Sequence, residues 1–167
     1  MNQAFLVATL ALLLTPSLGL AETKAPLPAP NGMAVPEGWK NWRVIAVSQR
    51  TDSNTLRAIL GNSVAIDAAR SGKINPWPEG SILAKINWKQ KTSALFPAAI
   101  VPDELIHVDF MLKDSGRYAA TGGWGFARWL GLEQKVYDKG DVPQECLGCH
   151  GIAKDQDYVF TRPAPLP

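Results

Sequence analysis

A chain of 167 residues, 46% of them hydrophobic, is long enough for one domain with a substantial core, and its composition excludes an intrinsically disordered protein. The formal charge of +2, with acids and bases interspersed and no long basic run, gives no footing for a nucleic acid or an anionic membrane surface. No internal repeat is visible.

The first element belongs to export rather than to a fold. Ala4 to Leu14 is almost wholly apolar, Pro16 breaks it, and Gly19-Leu20-Ala21 offers small residues to a signal peptidase. The stretch is short for a membrane span, although Met1-Asn2-Gln3 lacks the usual Lys or Arg. Residues 1–21 therefore read as a cleaved secretory signal, which leaves no membrane segment in the mature chain. Residues 22–38, ETKAPLPAPNGMAVPEG, carry four prolines and read as an extended lead-in. The folded domain is expected over residues 39–167, beginning near Trp39 or Trp42.

Arg43 to Gln49 and Thr55 to Leu60 flank the turn-rich Thr51-Asp52-Ser53-Asn54, which predicts a hairpin. Asn62 can cap a helix from Ser63 to Ser71 that Gly72 ends. The rigid turn Asn75 to Gly80 leads into a strand at Ile82 to Lys89. Leu105 to Leu112 alternates cleanly, and Gly123 to Leu130 is a further strand candidate. Several strands, hairpin-like connections and a few short helices predict an α+β fold built mainly on an antiparallel β-sheet.

Strand parity sorts these residues by face. Ile106, Val108, Phe110 and Leu112 share one side, and His107, Asp109, Met111 and Lys113 the other. Lys85 lies with Leu83 and Asn87; Arg57 lies with Thr55 and Ile59. The plainest reading is a half-buried sheet whose polar face meets water. Lys113, Asp114 and Arg117 read as a solvated turn, while Asp155 and Asp157 read as capping or turning the chain.

The chemistry concentrates in ECLGCH, residues 145–150, which holds the only two cysteines. A disulfide between Cys146 and Cys149 would close a very small loop and constrain little of the fold. A thioredoxin-like pair sits early, at a strand-to-helix passage, whereas this one is near the C-terminus. A structural zinc site needs about four ligands, and His107 is the only histidine besides His150. Covalent haem uses every residue of the motif. Cys146 and Cys149 can form thioethers to the two vinyl groups, with His150 as the axial ligand to iron, since a short helix turns all three toward one porphyrin.

The runs WPEGSILAK (77–85) and MLKDSGRYAATGGWGF (111–126), with ECLGCH followed by DYVFTRP, together resemble the cytochrome P460 family from about Trp39 to Pro163. The resemblance implies a periplasmic, sheet-rich cytochrome with one haem c and its iron, commonly a homodimer. Its best-known members oxidise hydroxylamine, with nitrous oxide a product. Position by position, it implies that Lys85 is cross-linked to the porphyrin, that Asp109 stands where the family has a catalytic glutamate one methylene longer, and that Arg57 is a distal arginine. A carboxylate whose pKa is raised by burial would suit a general base, and Arg57 could hold it. A periplasmic electron acceptor, such as another c-type cytochrome, is the implied partner.

Two other functions fit a haem motif. A protein like the beta form of cytochrome c-prime would bind nitric oxide or carbon monoxide in an apolar pocket. A plain electron carrier would use His107 or Met111 as a sixth ligand. Lys85, Arg57 and Asp109 favour the hydroxylamine-oxidising enzyme, because a gas-binding pocket would present bulky apolar groups there.

Overall fold

Local signals set the first half of the chain. Strands β1 (Arg43–Arg50) and β2 (Thr55–Gly61) form the expected hairpin. Helix α1 (Ser63–Ser71) follows at once: the Asn62 side chain accepts from the Ala65 amide at 3.0 Å, and Gly72 closes the helix at φ 70°. The computed structural model describes residues 25–139 and 142–165. The apolar leader at 1–21 lies outside them, as do Gly140 and Asp141 of the polar stretch before the cysteine motif.

The remaining elements are β3 (Ile82–Thr92), β4 (Ile100–Lys113), β5 (Trp124–Leu130), the short β6 (Lys135–Val136) and α2 (Val142–His150). A 3-10 helix over Gly151–Gln156 continues directly from α2. The six strands among the described residues pair antiparallel in chain order, β1-β2-β3-β4-β5-β6, and the architecture is α+β as expected. Two strands run longer than their sequence pattern suggested: β3 continues to Thr92 and β4 starts at Ile100, pairing Thr92 with Ile100.

Register converts parity into two faces. Leu60, Ala84, Phe110 and Ala127 stand side by side across β2 to β5, and Ile86, Val108 and Trp129 follow two positions along on the same face. On the opposite face, Leu83, Met111 and Phe126 form one row, and Ile59, Lys85, Asp109 and Arg128 form the next.

The first face is closed by aromatic rings. Phe110 meets Trp39, Trp42 and Trp129 nearly edge-on, at centroid distances of 5.4, 6.5 and 5.5 Å. The proline-rich segment, expected as a free lead-in, packs here instead. Ala29 and Met33 are buried in this cluster, Trp129 Nε1 donates to the Leu27 carbonyl at 3.0 Å, and Asn31 Nδ2 donates to the Phe126 carbonyl at 2.9 Å. The reason is area: an apolar sheet face needs a cover, and burying a side chain such as Met33 contributes roughly 1.5–3 kcal/mol.

The second face is not simply in water either. Ile45, Ile59, Leu83, Met111 and Phe126 pack with α1, Trp77 and Val159, and Cys146 and Leu147 of α2 lie against that cluster. Lys113 corrects the expectation of a solvated turn. It is buried, and its Nζ donates to Asp157 Oδ1 at 2.6 Å while lying 5.2 Å over the Trp124 ring. Asp114 and Arg117 do belong to the turn that follows, where the Asp114 carboxylate accepts from the Arg117 amide at 2.9 Å.

Candidate functional site

Between the polar row of the sheet and α2 lies a cavity of about 600 Å³, within the size range of cofactor sites. Its lining includes Arg57 from β2, Lys85 from β3, Asp109 and Met111 from β4, Phe126 and Arg128 from β5, and Cys146, Cys149 and His150 from α2. Of the residues singled out from the sequence, Arg57, Lys85, Asp109, Met111, Cys146, Cys149 and His150 thus reach one space, although 93 positions separate Arg57 from His150, while His107 does not line it.

The helix presents its three groups as its pitch requires. Cys146 and Cys149 are three apart, and His150 is one turn beyond Cys146. Both thiols are free; Cys146 is partly buried and Cys149 exposed. Burial pushes the Cys146 thiol up to about 11, with the nearby Asp109 charge adding to the effect.

His150 is fixed from three sides. Its Nδ1 donates to the Tyr158 carbonyl at 2.6 Å, and the rings of Phe126 and Phe160 flank it at 5.2 Å each. A carbonyl can only accept, so Nδ1 carries the proton and Nε2 keeps its lone pair. Burial lowers the pKa of this imidazole and favours the neutral form that can bind a metal.

Asp109 sits at the centre of the polar row. Arg128 Nε donates to Oδ1 at 2.6 Å, Lys85 Nζ lies 2.6 Å from Oδ2, and His107 Nε2 lies 3.5 Å from the same oxygen. Two expectations change here. Arg128, not Arg57, holds the carboxylate. Burial does push the Asp109 carboxyl up, but hydrogen bonding from His107, the Lys85 charge and the Arg128 hydrogen bond together outweigh it. Asp109 is therefore held well below the usual carboxylate range. Arg128 shows the reciprocal effect, burial opposing its charge and Asp109 raising its pKa overall.

Arg57 has a different standing. Its Nε is buried with no hydrogen-bond partner among the described residues, in a site that it lines. An unpaired buried donor costs free energy, which a bound group could recover. His107 turns its Nε2 toward Asp109 and toward Asn87 Nδ2, 3.3 Å away, while Met111 packs with Leu83 and Phe126.

These residues fit a haem. Among the described residues, Arg50, Arg57, Lys85, Arg128 and Arg162 line the space against Asp109 and Glu145, an excess of positive charge that suits a group bearing carboxylates. Two free thiols and an imidazole with Nε2 available come from a single helix. Zinc lacks its donors: among the described residues no cluster of three or more His, Cys, Asp or Glu side chains could hold a metal ion.

Sequence reasoning missed Arg128, Tyr158 and the Lys113–Asp157 pair. Parity on β5 could have placed Arg128 beside Phe126 on the cavity face, given the register. The profile of the family described as Cytochrome P460 matches residues 36–161, most of the chain. No curated protein matches it.

Proposed function

Because the chain belongs to the cytochrome P460 family, and so is a c-type haem cytochrome, we propose that it oxidises hydroxylamine to nitrous oxide after export to the periplasm. One observation carries the reading: Arg57, Lys85, Asp109 and Arg128 gather in the cavity that Cys146, Cys149 and His150 also line. An apolar gas-binding pocket has no use for such a set of charges.

In this reading Cys146 and Cys149 hold the porphyrin, and His150 offers Nε2 to the iron. The haem, when bound, would supply an iron that exchanges electrons with the substrate. Two hydroxylamine molecules yield one nitrous oxide and one water with release of four protons and four electrons. The electrons pass to an external acceptor, a c-type cytochrome of the same compartment. The protons need a base beside the substrate, and Asp109 is that base.

The depressed pKa of Asp109 bears on this role. While the Lys85 ammonium and Arg128 both face it, the carboxylate takes a proton poorly. Were Lys85 Nζ bonded to a porphyrin carbon in place of a ring hydrogen, as the family resemblance implies, it would no longer carry an ammonium charge, and one of the cations that depress Asp109 would be gone. Arg128 still orients the carboxylate. Arg57 Nε, which lacks a partner among the described residues, can donate to an oxygen or nitrogen of the substrate.

The test is the absorption spectrum of the dithionite-reduced protein, followed by nitrous oxide measurement with hydroxylamine and an electron acceptor. The expected result is a Soret band far to the red of ordinary haem c, together with turnover. Asp109→Ala should still bind hydroxylamine but not turn it over. An ordinary high-spin ferrous spectrum without turnover would move the reading to gas binding. Sharp low-spin bands would mean a sixth protein ligand, such as Met111, and electron transfer.

A further inference from the structure

The Tyr158 carbonyl that accepts from His150 reaches the imidazole by an unusual path. After the 3-10 helix, Asp157 (φ 50°, ψ 42°) and Tyr158 (φ 62°) both take the left-handed conformation, and neither is glycine. Consecutive left-handed L-residues are costly and persist only where their surroundings over-determine them.

Those surroundings are specific. Asp157 Oδ1 accepts from Lys113 Nζ at 2.6 Å, and Oδ2 accepts from the Trp77 amide at 2.8 Å. Lys113 ends β4, and Trp77 lies in the turn before β3, so two distant parts of the chain grip one carboxylate. Both charged side chains are nearly closed to water, at 6% exposure for Lys113 and 9% for Asp157. The Tyr158 ring lies against Gly122 (φ 72°), where a Cβ would collide with it. A buried ion pair is poor evidence for stability, because apolar replacements of similar volume are often neutral or better. What such a pair does supply is a fixed geometry.

We infer that Asp157 is a positioning residue for His150: clamped between Lys113 and Trp77, it holds the Tyr158 carbonyl against Nδ1. The inference rests on the haem reading, since it takes His150 to be the iron ligand. A fixed carbonyl sets the ring orientation of a ligating histidine and, through the Nδ1 hydrogen bond, the donor strength of Nε2. Asp109, Met111 and Lys113 fall on one side of β4. A single strand thus carries the carboxylate of the cavity wall and, four residues on, the anchor of the imidazole.

The experiment uses the full-length, haem-loaded protein. Asp157→Asn keeps the shape of the side chain and an acceptor for Trp77 but strips the charge from the Lys113 contact. Resonance Raman spectra of the ferrous form should show a shifted iron–histidine stretching band, with a changed midpoint potential and unchanged circular dichroism. Asn75→Ala removes a different tie to the same loop, the 2.9 Å bond to the Asp155 carbonyl, and should leave band and potential at their wild-type values. If Asp157→Asn fails to mature, Lys113→Met combined with Asp157→Leu removes both charges together and should fold with the band shifted. A wild-type protein whose absorption spectrum shows no haem would overturn the haem reading and this inference with it. A normal wild-type band that stays in place in these Asp157 variants would overturn the inference alone.

Discussion

Arg128 and Asp109 stand directly opposite each other on neighbouring strands, and Arg128 Nε donates to Asp109 Oδ1 across 2.6 Å. Lys85 occupies the matching position on the other flank of Asp109, so the carboxylate is held from both sides of β4. Removing Arg128 strands a half-buried charge with one fewer donor. Arg128→Leu should cost about 2 kcal/mol, the usual magnitude of a hydrogen bond to a charged group, measured by urea unfolding. A loss below a few tenths would show that Lys85 alone suffices.

The same clamp predicts an acid limb to stability. The folded carboxyl of Asp109 lies below its ordinary value of 3.8, so at low pH the unfolded chain takes up the proton first. Its contribution is fully present above that value and is lost as pH falls through and below it. Urea midpoints followed from neutral pH down to about pH 3 should decline more steeply in wild type than in Asp109→Asn. Parallel curves would mean that the carboxylate is not held as described.

Lys85→Gln removes the ammonium 2.6 Å from Asp109 Oδ2. The reduced protein should then show an ordinary c-type haem spectrum and no hydroxylamine turnover, and in haem-free protein the Asp109 carboxyl should titrate higher than in haem-free wild type, by infrared difference spectroscopy. A red-shifted Soret band in this variant would remove Lys85 from any bond to the ring.

Burial separates the two thiols. In haem-free protein at neutral pH, iodoacetamide should label exposed Cys149 well before Cys146, whose thiol lies at about 11. Peptide mass spectrometry over a time course decides this. Equal rates would place Cys146 outside the packed face of α2.

How much of this was legible beforehand depends on the distance each signal had to travel along the chain. Asn62 and Gly72 marked α1 to the residue because caps act within one turn. The β1–β2 hairpin was equally readable from its turn. Parity gave the faces of Lys85, Asp109 and Arg57, but the depressed pKa of Asp109 needed Arg128 as its neighbour, and that pairing is a matter of register. Lys113 looked like a surface lysine next to a turn, and its partner Asp157 lies in the loop after α2, 44 residues on. The proline-rich segment has no periodicity, so nothing local announced that Ala29 and Met33 would pack under Trp129.

That packing carries its own prediction. Met33 is buried at 4% exposure, and Met33→Ala should lower stability by about 2–3 kcal/mol in urea unfolding, as large-to-small core substitutions do. A change near zero would return residues 25–38 to the status of a tail.

The strand order β1-β2-β3-β4-β5-β6 has a consequence in time. From β2 onward each strand pairs with the one just before it and so meets a partner already made, and contacts within the sheet stay short in sequence. A chain that forms from its N-terminus can complete the wall bearing Arg57, Lys85, Asp109 and Arg128 before Cys146, Cys149 and His150 arrive. Helix α2 therefore closes over a surface that already exists, and the order of assembly is written into the topology.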